Sequence, residues 1–599
     1  MAAAMMLCAC SSNTQAPDPA STVFNADGTV TFNYRNDNAK EVQVDVQFAG
    51  RHAMERDSLT GLWSLTLGPA APDMYPYCFV VDGVSIMDPQ NQQYFPNEGF
   101  KNSLLDIPGE TPLIHSIQNV PHGYVEYVNY YSNAIEGYNN AVVYLPPSYT
   151  QSQDSYPVFY LISGTTDTEE VYYKVGRMNY ILDNLLAQGA AKEMIIVLPY
   201  GNPMKLMNTN DFMGRGDLFS QDLINDLMPY IEANYRTIND RDHRAIGGFS
   251  RGGNQGLMNG LMNLDKFSYL CSYSSFTATT LPNVYDNAKD TNEKIHLFWT
   301  GVGTDDFLYG TARDYTEFLD QKGIRAVKEY TTDKFGHTWM NAKYFLDKTL
   351  RLLFNPEASE AAMASAEPTK AKTGEEQDFT PAVMARLFPK PIISPEFAGN
   401  SVTFRIKAPE AKEVLLEGEM LSAPKPMERD SDGVWSTMVD IEPDIYCYNF
   451  VVDGTKVCDA QNMYLAPDKG FKRSVLNMPG APYSVNDMLC NYSPVRYLVD
   501  NLPDGTQDKY ATVGGSIPVE GKDYPTIVLV AGPNDTFESW FKIGHANLIL
   551  DQMVAKGECK PCILFFNDTP AANTTNINAG DYKTWREARK ALVETLKKM

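Results

Sequence analysis

The sequence feature that most constrains the fold is an internal repeat, which covers much of the chain. The segment Met54–Leu67 returns as Met427–Val439, and Tyr77–Asn91 returns as Tyr448–Asn462. Because similar sequences form similar structures, a chain with this repeat should contain the same structural unit twice. At 599 residues the chain also exceeds the size of a single hydrophobic core, so several domains are expected.

Alternating apolar residues between turn residues characterise the first part of each copy. Val42, Val44 and Val46 alternate with polar residues, which is typical of a half-buried antiparallel strand. We therefore predict an immunoglobulin-like β-sandwich over residues 22–110 and a second β-sandwich over residues 392–480.

The repeat continues beyond the predicted sandwiches. Tyr156–Glu170 matches Tyr524–Glu538, and Lys174–Gly189 matches Lys542–Gly557. In both copies these segments are followed by an apolar run, so the order is strand, loop, amphipathic helix and strand. That order predicts an α/β unit of three layers with a mostly parallel sheet.

The two copies differ in length after these segments. The first continues to residue 355, so we predict a complete α/β domain over residues 111–355. A stretch rich in Ala, Glu, Pro and Lys follows, and it predicts a mobile linker over residues 356–391. The second copy, residues 481–599, is predicted to be a truncated and non-catalytic α/β domain, with Asp581 at the position that His337 has in the first copy.

The first residues of the chain resemble the lipobox of bacterial lipoproteins. A short apolar run leads into Cys8 and Cys10, and small polar residues follow. The resemblance implies that residues 1–21 are a signal and tether, that Cys10 is lipidated, and that the protein is anchored in the cell envelope. We expect the outer membrane, with the protein periplasmic or surface-exposed. The alternative is a disordered, alanine-rich start.

Composition excludes several classes of partner. The formal net charge of -24 disfavours binding to nucleic acid, whose phosphates need a basic surface. No stretch reaches the 18 or so uncharged apolar residues of a transmembrane helix. Cys559 and Cys562 have the spacing of a redox or zinc motif, but no second pair completes a zinc site. We expect no metal and no cofactor.

One short glycine-rich stretch has the composition of a nucleophile turn. Gly248, Ser250 and Gly252 form a G-x-S-x-G pattern, which is weak by itself. A predicted strand precedes the pattern, and a predicted helix with leucines on one face follows it. That context is the one in which such a serine is exposed at the top of a sheet, so Ser250 is a candidate nucleophile.

A serine nucleophile needs a histidine base and an acid that orients it. His296 lies in a strand pattern, whereas His337 lies in a loop after a strand, at the edge where such sheets place their sites. His337 is therefore the candidate base. Asp305 and Asp306 both follow a predicted strand, and the residues alone leave open which of them is the acid.

An oxyanion hole should complete such a site. One backbone N–H is expected from Arg251, directly after the nucleophile, and a second from the loop Ser163–Thr166, with Thr165 as the candidate. Each such donor stabilises the transition state by about 3 kcal/mol.

The stretch Leu218–Gly253 resembles the esterase-D-like α/β-hydrolases, in particular carbohydrate esterase family 1, the feruloyl and acetylxylan esterases. The resemblance implies a catalytic triad of Ser250, Asp306 and His337, since the family's G-x-x-D element, counted from Gly303, falls on Asp306. This sequence has Ser163 where the family often has histidine, and Arg251 where methionine is common.

Both predicted sandwiches resemble carbohydrate-binding modules of family 48, the isoamylase N-terminal type, over a pattern at Phe79–Asn91. Trp63, Tyr77 and Phe79 nevertheless alternate with apolar residues, which favours a buried core over a sugar-binding face.

These resemblances imply a serine esterase that removes feruloyl or acetyl groups from plant xylan or arabinoxylan, with a polysaccharide or oligosaccharide ester as its partner. One alternative is a siderophore esterase of the enterobactin type. Another is a surface glycan-binding lipoprotein whose α/β domain is only a scaffold. The sequence makes no prediction about the oligomeric state.

Overall fold

Two segments of the chain, residues 22–106 and 396–477, each fold into a pair of antiparallel sheets. We call them the first and second paired-sheet units. The structure is a computed structural model, and it describes residues 19–206, 218–281, 283–331, 336–367, 392–481, 483, 493–501, 507–514 and 524–599.

The first paired-sheet unit consists of strands β1 (Thr22–Phe24), β2 (Val30–Arg35), β3 (Val42–Val46), β4 (Gly50–Ala53), β5 (Glu55–Arg56), β6 (Leu62–Leu67), β7 (Met74–Val81), β8 (Val84–Ile86) and β9 (Ser103–Asp106). One sheet has the order β1-β2-β6-β5, and the other has the order β4-β3-β7-β8, with β9 also paired to β7.

The second paired-sheet unit consists of strands β18 (Glu396–Ala398), β19 (Ser401–Lys407), β20 (Val414–Gly418), β21 (Lys425–Pro426), β22 (Glu428–Arg429), β23 (Val434–Asp440), β24 (Ile445–Val452), β25 (Thr455–Val457) and β26 (Ser474–Asn477). Its sheets have the orders β18-β19-β23-β22 and β21-β20-β24-β25, with β26 paired to β24. Apart from the two-residue β21, which stands in the place of β4, the two units have the same strand order.

Aromatic side chains fill the space between the two sheets of each unit. Phe32 on β2 lies 5.5 Å from Tyr77 on β7, measured between ring centroids, and Phe404 makes the equivalent contact with Tyr448 at 4.9 Å. Trp63 is 6% exposed, and Tyr77 and Phe79 are fully buried. The prediction that these aromatic residues form a core is confirmed.

The remaining described strands form one sheet, which contains β10 (Tyr124–Ser132), β11 (Gly137–Leu145), β12 (Val158–Ile162), β13 (Ile195–Pro199), β14 (Arg244–Phe249), β15 (Tyr269–Tyr273), β16 (Leu297–Gly303), β17 (Val327–Thr331), β27 (Val495–Asn501), β28 (Gln507–Gly514), β29 (Thr526–Val530), β30 (Ile563–Asn567) and β31 (Thr575–Asn578). Strands β12 to β17 are parallel to their neighbours in this group, which confirms the predicted α/β-hydrolase type of sheet in the first copy.

The described helices are α1 (Val171–Lys174), α2 (Met178–Ala187), α3 (Pro203–Leu206), α4 (Leu218–Gln221), α5 (Met228–Asn234), α6 (Arg251–Met262), α7 (Ala288–Lys294), α8 (Tyr309–Lys322), α9 (Trp339–Leu350), α10 (Pro356–Ala364), α11 (Ser539–Lys542), α12 (Ala546–Ala555) and α13 (Trp585–Leu596). A π-helical turn, Asp222–Leu227, joins α4 to α5. In the described part of the chain, no helix is long and apolar enough to cross a membrane.

The large sheet is made of two half-sheets that meet at β10 and β27. Counted outward from this junction, the first half runs β10, β11, β13, β12, β14, β15, β16, β17, and the second runs β27, β28, β30, β29, β31. The first five strands of the first half thus have the order of the five strands of the second. The two junction strands pair antiparallel, with Glu126 opposite Arg496. The Arg496 guanidinium lies 2.6 Å from the Glu126 carboxylate, whose side chain is 1% exposed. The second copy therefore packs against the first and extends its sheet.

A cluster of four charges whose side chains are only 12–18% exposed, the interface quartet, also joins the two copies. Lys542 lies 2.7 Å from Glu170 and 3.4 Å from Glu538, and Lys174 lies 3.4 Å and 3.5 Å from the same two carboxylates. Because Glu170 and Lys174 come from the first copy and the other two come from the second, each charge has a partner in both copies.

The boundary predicted between residues 355 and 356 is wrong. Residues 356–364 form α10, which packs on β16, where the backbone N–H of Phe298 lies 3.4 Å from the Met363 sulfur. Met363 is 6% exposed. Alanine and glutamate favour helices as well as linkers, so composition alone did not separate the two. The later part of the predicted linker, residues 368–391, lies outside the described residues.

The predicted equivalence of Asp581 and His337 is also wrong. Helix α9 begins after the capping residue Thr338, and α13 begins after the capping residue Thr584, so the residue equivalent to His337 is Lys583. Asp581 instead belongs to a 3₁₀ turn directly after β31, the strand equivalent to β14. The deletion between the copies shifted the alignment that the sequence suggested.

Candidate active site

Ser250 lies at a sharp turn between strand β14 and helix α6. Its backbone has φ 57° and ψ -121°, a conformation that costs free energy for a residue with a side chain. The Ser250 N–H donates to the carbonyl of Tyr273 on the neighbouring strand, at 2.9 Å. The turn therefore holds the serine side chain above the carboxyl ends of the parallel strands.

The glycines on both sides of the turn allow a close approach of three backbone segments. A Cβ atom at Gly248 or at Gly252 would lie 2.1 Å from the carbonyl oxygen of Ile162. No side chain fits at that distance, so the pattern that singled out Ser250 has a steric cause.

The structure brings together the three side chains that the sequence predicted as a triad. His337 Nε2 lies 2.9 Å from Ser250 Oγ, and His337 Nδ1 lies 3.0 Å from both carboxylate oxygens of Asp306. The Asp306 side chain is fully buried, whereas Asp305 is exposed. The geometry therefore selects Asp306 over Asp305.

Aromatic rings enclose the His337 imidazole. Phe249 stacks on it with a centroid distance of 4.7 Å, and Phe307 lies 4.4 Å away on a tilted plane. Trp339 in turn packs on Phe249 at 5.4 Å. These contacts restrict the orientation of the imidazole, and they leave 17% of its side chain accessible to substrate and water.

Changing Asp306 to asparagine tests this arrangement. We expect kcat for ester hydrolysis to fall by about 10⁴-fold, because the amide holds the wrong tautomer of the histidine and cannot stabilise its protonated form. The matched control is Asp305→Asn, which removes the neighbouring exposed carboxylate and should change kcat less than about twofold. Equal losses in both variants would contradict the assignment of Asp306.

The predicted oxyanion donors lie on two elements that meet at Ser250. Arg251 is the first residue of α6, and the first N–H groups of a helix have no partner within it and favour negative charge. Gly164 packs against the nucleophile, since a Cβ atom there would lie 3.5 Å from Ser250 Cβ. Thr165 follows in the same loop, and its role as the second donor stays a prediction.

The first paired-sheet unit holds the loop that carries Thr165. Asn97 donates to the Thr166 hydroxyl at 3.0 Å and to the Asp167 carboxylate at 3.3 Å, and the Glu98 N–H donates to the Thr166 carbonyl at 2.7 Å. These positioning residues were not predicted from the sequence. The available signal was that Pro96–Lys101 resembles Pro467–Lys472, a match that extends the repeat into a loop.

The carboxyl group of Asp167 is the buried titratable group of this loop. Burial raises its pKa to about 7, although the nearby Arg251 guanidinium opposes the shift. Its oxygen Oδ2 accepts the Gly164 N–H at 3.1 Å, so it fixes the loop beside Ser250.

Asp167 should make the stability of the protein pH-dependent. Because its pKa is raised on folding, the folded state holds the proton more tightly, and stability is lost as pH rises from about 4 to about 7. We expect Asp167→Asn to remove this loss and to keep the acceptor for Gly164. We therefore measure the melting temperatures of the variant and of wild type as a function of pH. The difference, variant minus wild type, should increase from pH 4 to pH 7 and stay constant above pH 7. Parallel profiles would contradict the assignment.

The Arg251 side chain reaches past the nucleophile toward Gly201. Its Nε and Nη2 atoms are buried, and they have no hydrogen-bond partner among the residues that the structure describes. A Cβ atom at Gly201 would lie 2.9 Å from Nη2. The guanidinium therefore lies buried near Gly201, where its charge also acts on Asp167.

Other candidates from the sequence lie elsewhere. His296 is exposed and contacts Asp242 at 2.9 Å. Both residues precede the amino ends of strands β16 and β14, at the opposite edge of the sheet from Ser250. Cys10 lies outside the described residues, so its lipidation stays a prediction. Within the described ranges, no group of three or more His, Cys, Asp or Glu side chains could hold a metal ion.

Comparison with known families agrees with the site. Residues 132–336 match the family model described as "Putative esterase". An "Endo-1,4-beta-xylanase/feruloyl esterase" of Xylanibacter ruminicola is 29% identical over 342 residues, which cover 55% of this chain and 45% of that protein. "Esterase Rv1288" of Mycobacterium tuberculosis is 33% identical over 135 residues, which cover 21% of this chain and 27% of that protein. The chain thus spans less than half the length of both curated relatives.

Two solved esterase structures are similar to part of this chain. One is a ferulic acid esterase from Anaeromyces mucronatus in complex with ferulic acid, which is 24% identical to this chain with a TM-score of 0.37. The similar region covers 42% of this chain and 99% of the esterase chain. The other is the enterobactin esterase from Shigella flexneri, which is 15% identical with a TM-score of 0.43. The similar region covers 55% of this chain and 93% of the enterobactin esterase chain.

The family match contains the Ser250 turn and Asp306, and it ends at Gly336, directly before His337. The matched residues therefore include the elements that carry Ser250 and Asp306. Residues 132–336 are thus similar to the esterase family.

Proposed function

We propose that the protein is a serine esterase that hydrolyses carboxylic esters through an acyl-enzyme. The observation that carries the proposal is the hydrogen-bonded chain from Ser250 through His337 to Asp306, at 2.9 and 3.0 Å. Such a chain lets a weak nucleophile lose its proton at the moment of attack.

The acylation step follows from this geometry. Ser250 Oγ attacks the ester carbonyl carbon while its proton passes to His337 Nε2, and Asp306 stabilises the imidazolium. The carbonyl oxygen becomes an oxyanion that the N–H groups of Arg251 and Thr165 are proposed to bind. When the ester C–O bond breaks, His337 returns the proton to the departing alkoxide.

Deacylation repeats the same steps with water. His337 takes a proton from a water molecule, which attacks the acyl carbon bound to Ser250. The second tetrahedral intermediate collapses, the carboxylic acid leaves, and the proton returns to Ser250 Oγ. The reaction as written needs no metal or cofactor.

We propose feruloyl or acetyl esters of plant xylan or arabinoxylan as the substrate class. The similarity to a protein named endo-1,4-beta-xylanase/feruloyl esterase supports this choice. Trp63, Tyr77 and Phe79 are buried, so sugar binding by the first paired-sheet unit would have to use other residues.

The test is the release of ferulate and acetate from arabinoxylan by the wild-type chain, with the Ser250→Ala variant as the blank. Ferulate or acetate release that requires Ser250 supports the proposal, and mass spectrometry should show an acyl group on Ser250. Serine-dependent hydrolysis of a catecholate lactone, with none of arabinoxylan, would point instead to a siderophore ester. Equal rates with both proteins would contradict the esterase mechanism.

A further inference from the structure

A cavity of about 910 Å³ lies between the two copies of the repeat. Its walls include Gln93 and Tyr94 from the first paired-sheet unit, and Thr536, Phe565 and Asp568 from the second copy. The described walls do not include Ser250, Asp306 or His337. Its volume lies at the upper end of the range of about 300–1,000 Å³ that ligand sites occupy.

The two copies are equivalent around this cavity, so their residues can be matched one to one. Asn91 donates to the Tyr77 hydroxyl and to the Leu104 carbonyl at 3.1 and 2.7 Å, and Asn462 makes the same two bonds in the second unit at the same distances. Gln93, two residues after Asn91, is therefore equivalent to Tyr464.

A second matched pair faces the cavity. Strands β13 and β30 occupy equivalent places in the two half-sheets, so Tyr200, the residue after β13, is equivalent to Asp568. Tyr200 is fully buried, and its hydroxyl donates to Glu98 at 2.8 Å and contacts the Met463 sulfur at 3.9 Å. Asp568 and Gln93 are exposed.

The cavity lies where Gln93 of the first copy meets Asp568 of the second. The equivalent positions are Tyr464 of the second copy and Tyr200 of the first, so both residues at the cavity are smaller than their counterparts. The cavity also borders the carboxyl ends of β29 and β30, the edge of an α/β sheet at which ligands bind.

Most of the charged groups around the cavity are paired with other protein groups, and the Lys472 ammonium donates to the Asn91 carbonyl at 2.9 Å. Lys174 belongs to the interface quartet, and Arg177 lies 2.7 Å from Asp106. Asp468 accepts from Arg473 at 2.9 Å. Because an ionic ligand would need a free opposite charge to offset its desolvation, these walls favour a neutral ligand.

The uncharged part of the walls combines aromatic rings with hydrogen-bonding groups. Tyr94, Phe537 and Phe565 contribute ring surface, and the amide of Gln93 is exposed. The buried hydroxyl oxygen of Thr536 has no partner in the part of the chain that the structure describes. Flat apolar rings with neutral donors and acceptors between them match the alternation of C–H faces and hydroxyls on a sugar chain.

We propose that this cavity binds a neutral oligosaccharide, and that the non-catalytic copy serves to form this second site. Gln93 and Asp568, which line it, are each smaller than the tyrosine at the equivalent position of the other copy. The residues of the cavity walls support this site independently of the esterase chemistry. Only the choice of a xylan chain as the probe rests on the proposed esterase function.

The experiment measures xylohexaose binding by calorimetry in a Ser250→Ala background. Gln93→Tyr fills the cavity with the residue that the fold already accepts at the equivalent position, Tyr464. We expect this variant to weaken binding at least tenfold. The matched control, Gln47→Tyr, places the same side chain on an exposed position of the same unit and should leave binding unchanged.

A second readout separates this inference from the proposed function. With Ser250 present, Gln93→Tyr should leave the hydrolysis of methyl ferulate unchanged. Xylohexaose binding that Gln93→Tyr does not weaken would overturn the cavity assignment, and so would an absence of binding in the Ser250→Ala background. Cavity-dependent binding by a wild-type chain that hydrolyses no ester would support the assignment and contradict only the esterase proposal.

Discussion

Replacing Ser250 by alanine is expected to lower kcat for ester hydrolysis by about 10⁶-fold, because the variant has no nucleophile to form the acyl-enzyme. Replacing His337 by alanine should cost a comparable factor, since the serine then keeps its proton. His337 Nε2 lies 2.9 Å from Ser250 Oγ, so the two residues act as one unit. Rates with a small soluble ester, measured in single turnovers and at steady state, give both values.

The double variant sharpens this prediction. If Ser250 and His337 act as one unit, replacing both should lower kcat little more than replacing either one. The fold-losses in kcat of the two single variants should therefore not multiply in the double variant. Circular dichroism and melting temperature should match wild type in all three variants, which excludes unfolding as the cause. A His337→Ala protein that retains a tenth or more of the wild-type rate would contradict the triad.

Replacing Lys542 by methionine is expected to lower the free energy of unfolding by about 3–5 kcal/mol, because it leaves buried carboxylates without a partner. Lys542 lies 2.7 Å from Glu170 and 3.4 Å from Glu538, and its side chain is 18% exposed. Burial opposes ionisation of Glu170, but Lys174 and Lys542 outweigh it and bring its pKa to about 2. Urea denaturation, followed by tryptophan fluorescence, measures the loss.

Two further variants identify the cause of that loss. Lys322→Met breaks a surface ion pair with Asp286, 3.3 Å away, in which the lysine is 40% exposed, and should cost less than about 1 kcal/mol. Methionine at all four positions of the interface quartet should recover much of the stability, since it removes the buried charges together. A quadruple variant less stable than Lys542→Met would show that the quartet contributes net stability.

The local features of the candidate site were predictable from the sequence. Ser250 was identifiable because close backbone packing admits only glycine at positions 248 and 252. These glycines lie within two residues of Ser250, so the pattern is visible in the sequence. His337 followed from chain order and from its place after a strand. Asp305 and Asp306 could not be separated from the residues alone, because they differ only in which of them faces His337 and is buried.

The errors in the sequence prediction have specific physical causes. Residues 356–364 read as a linker because alanine and glutamate do not reveal that Met363 packs beneath β16. Asp581 was matched to His337 by position in a truncated stretch, whereas the helix caps Thr338 and Thr584 give the true alignment. In the first case the deciding contact is made with a residue distant in the chain, whereas in the second the deciding signal is local, the helix cap.

The sequence by itself determined the units of this protein: two paired-sheet units, two α/β units, one complete and one shortened, and a serine turn in the first. These follow from short-range periodicity and from glycine sterics, which neighbouring residues encode. Only the tertiary structure decided that β10 pairs with β27, that Asn97 and Glu98 hold the loop beside Ser250, and that a cavity lies between the copies. The backbone groups of an edge strand can pair with any other strand, so the choice of partner depends on the packing of the whole chain.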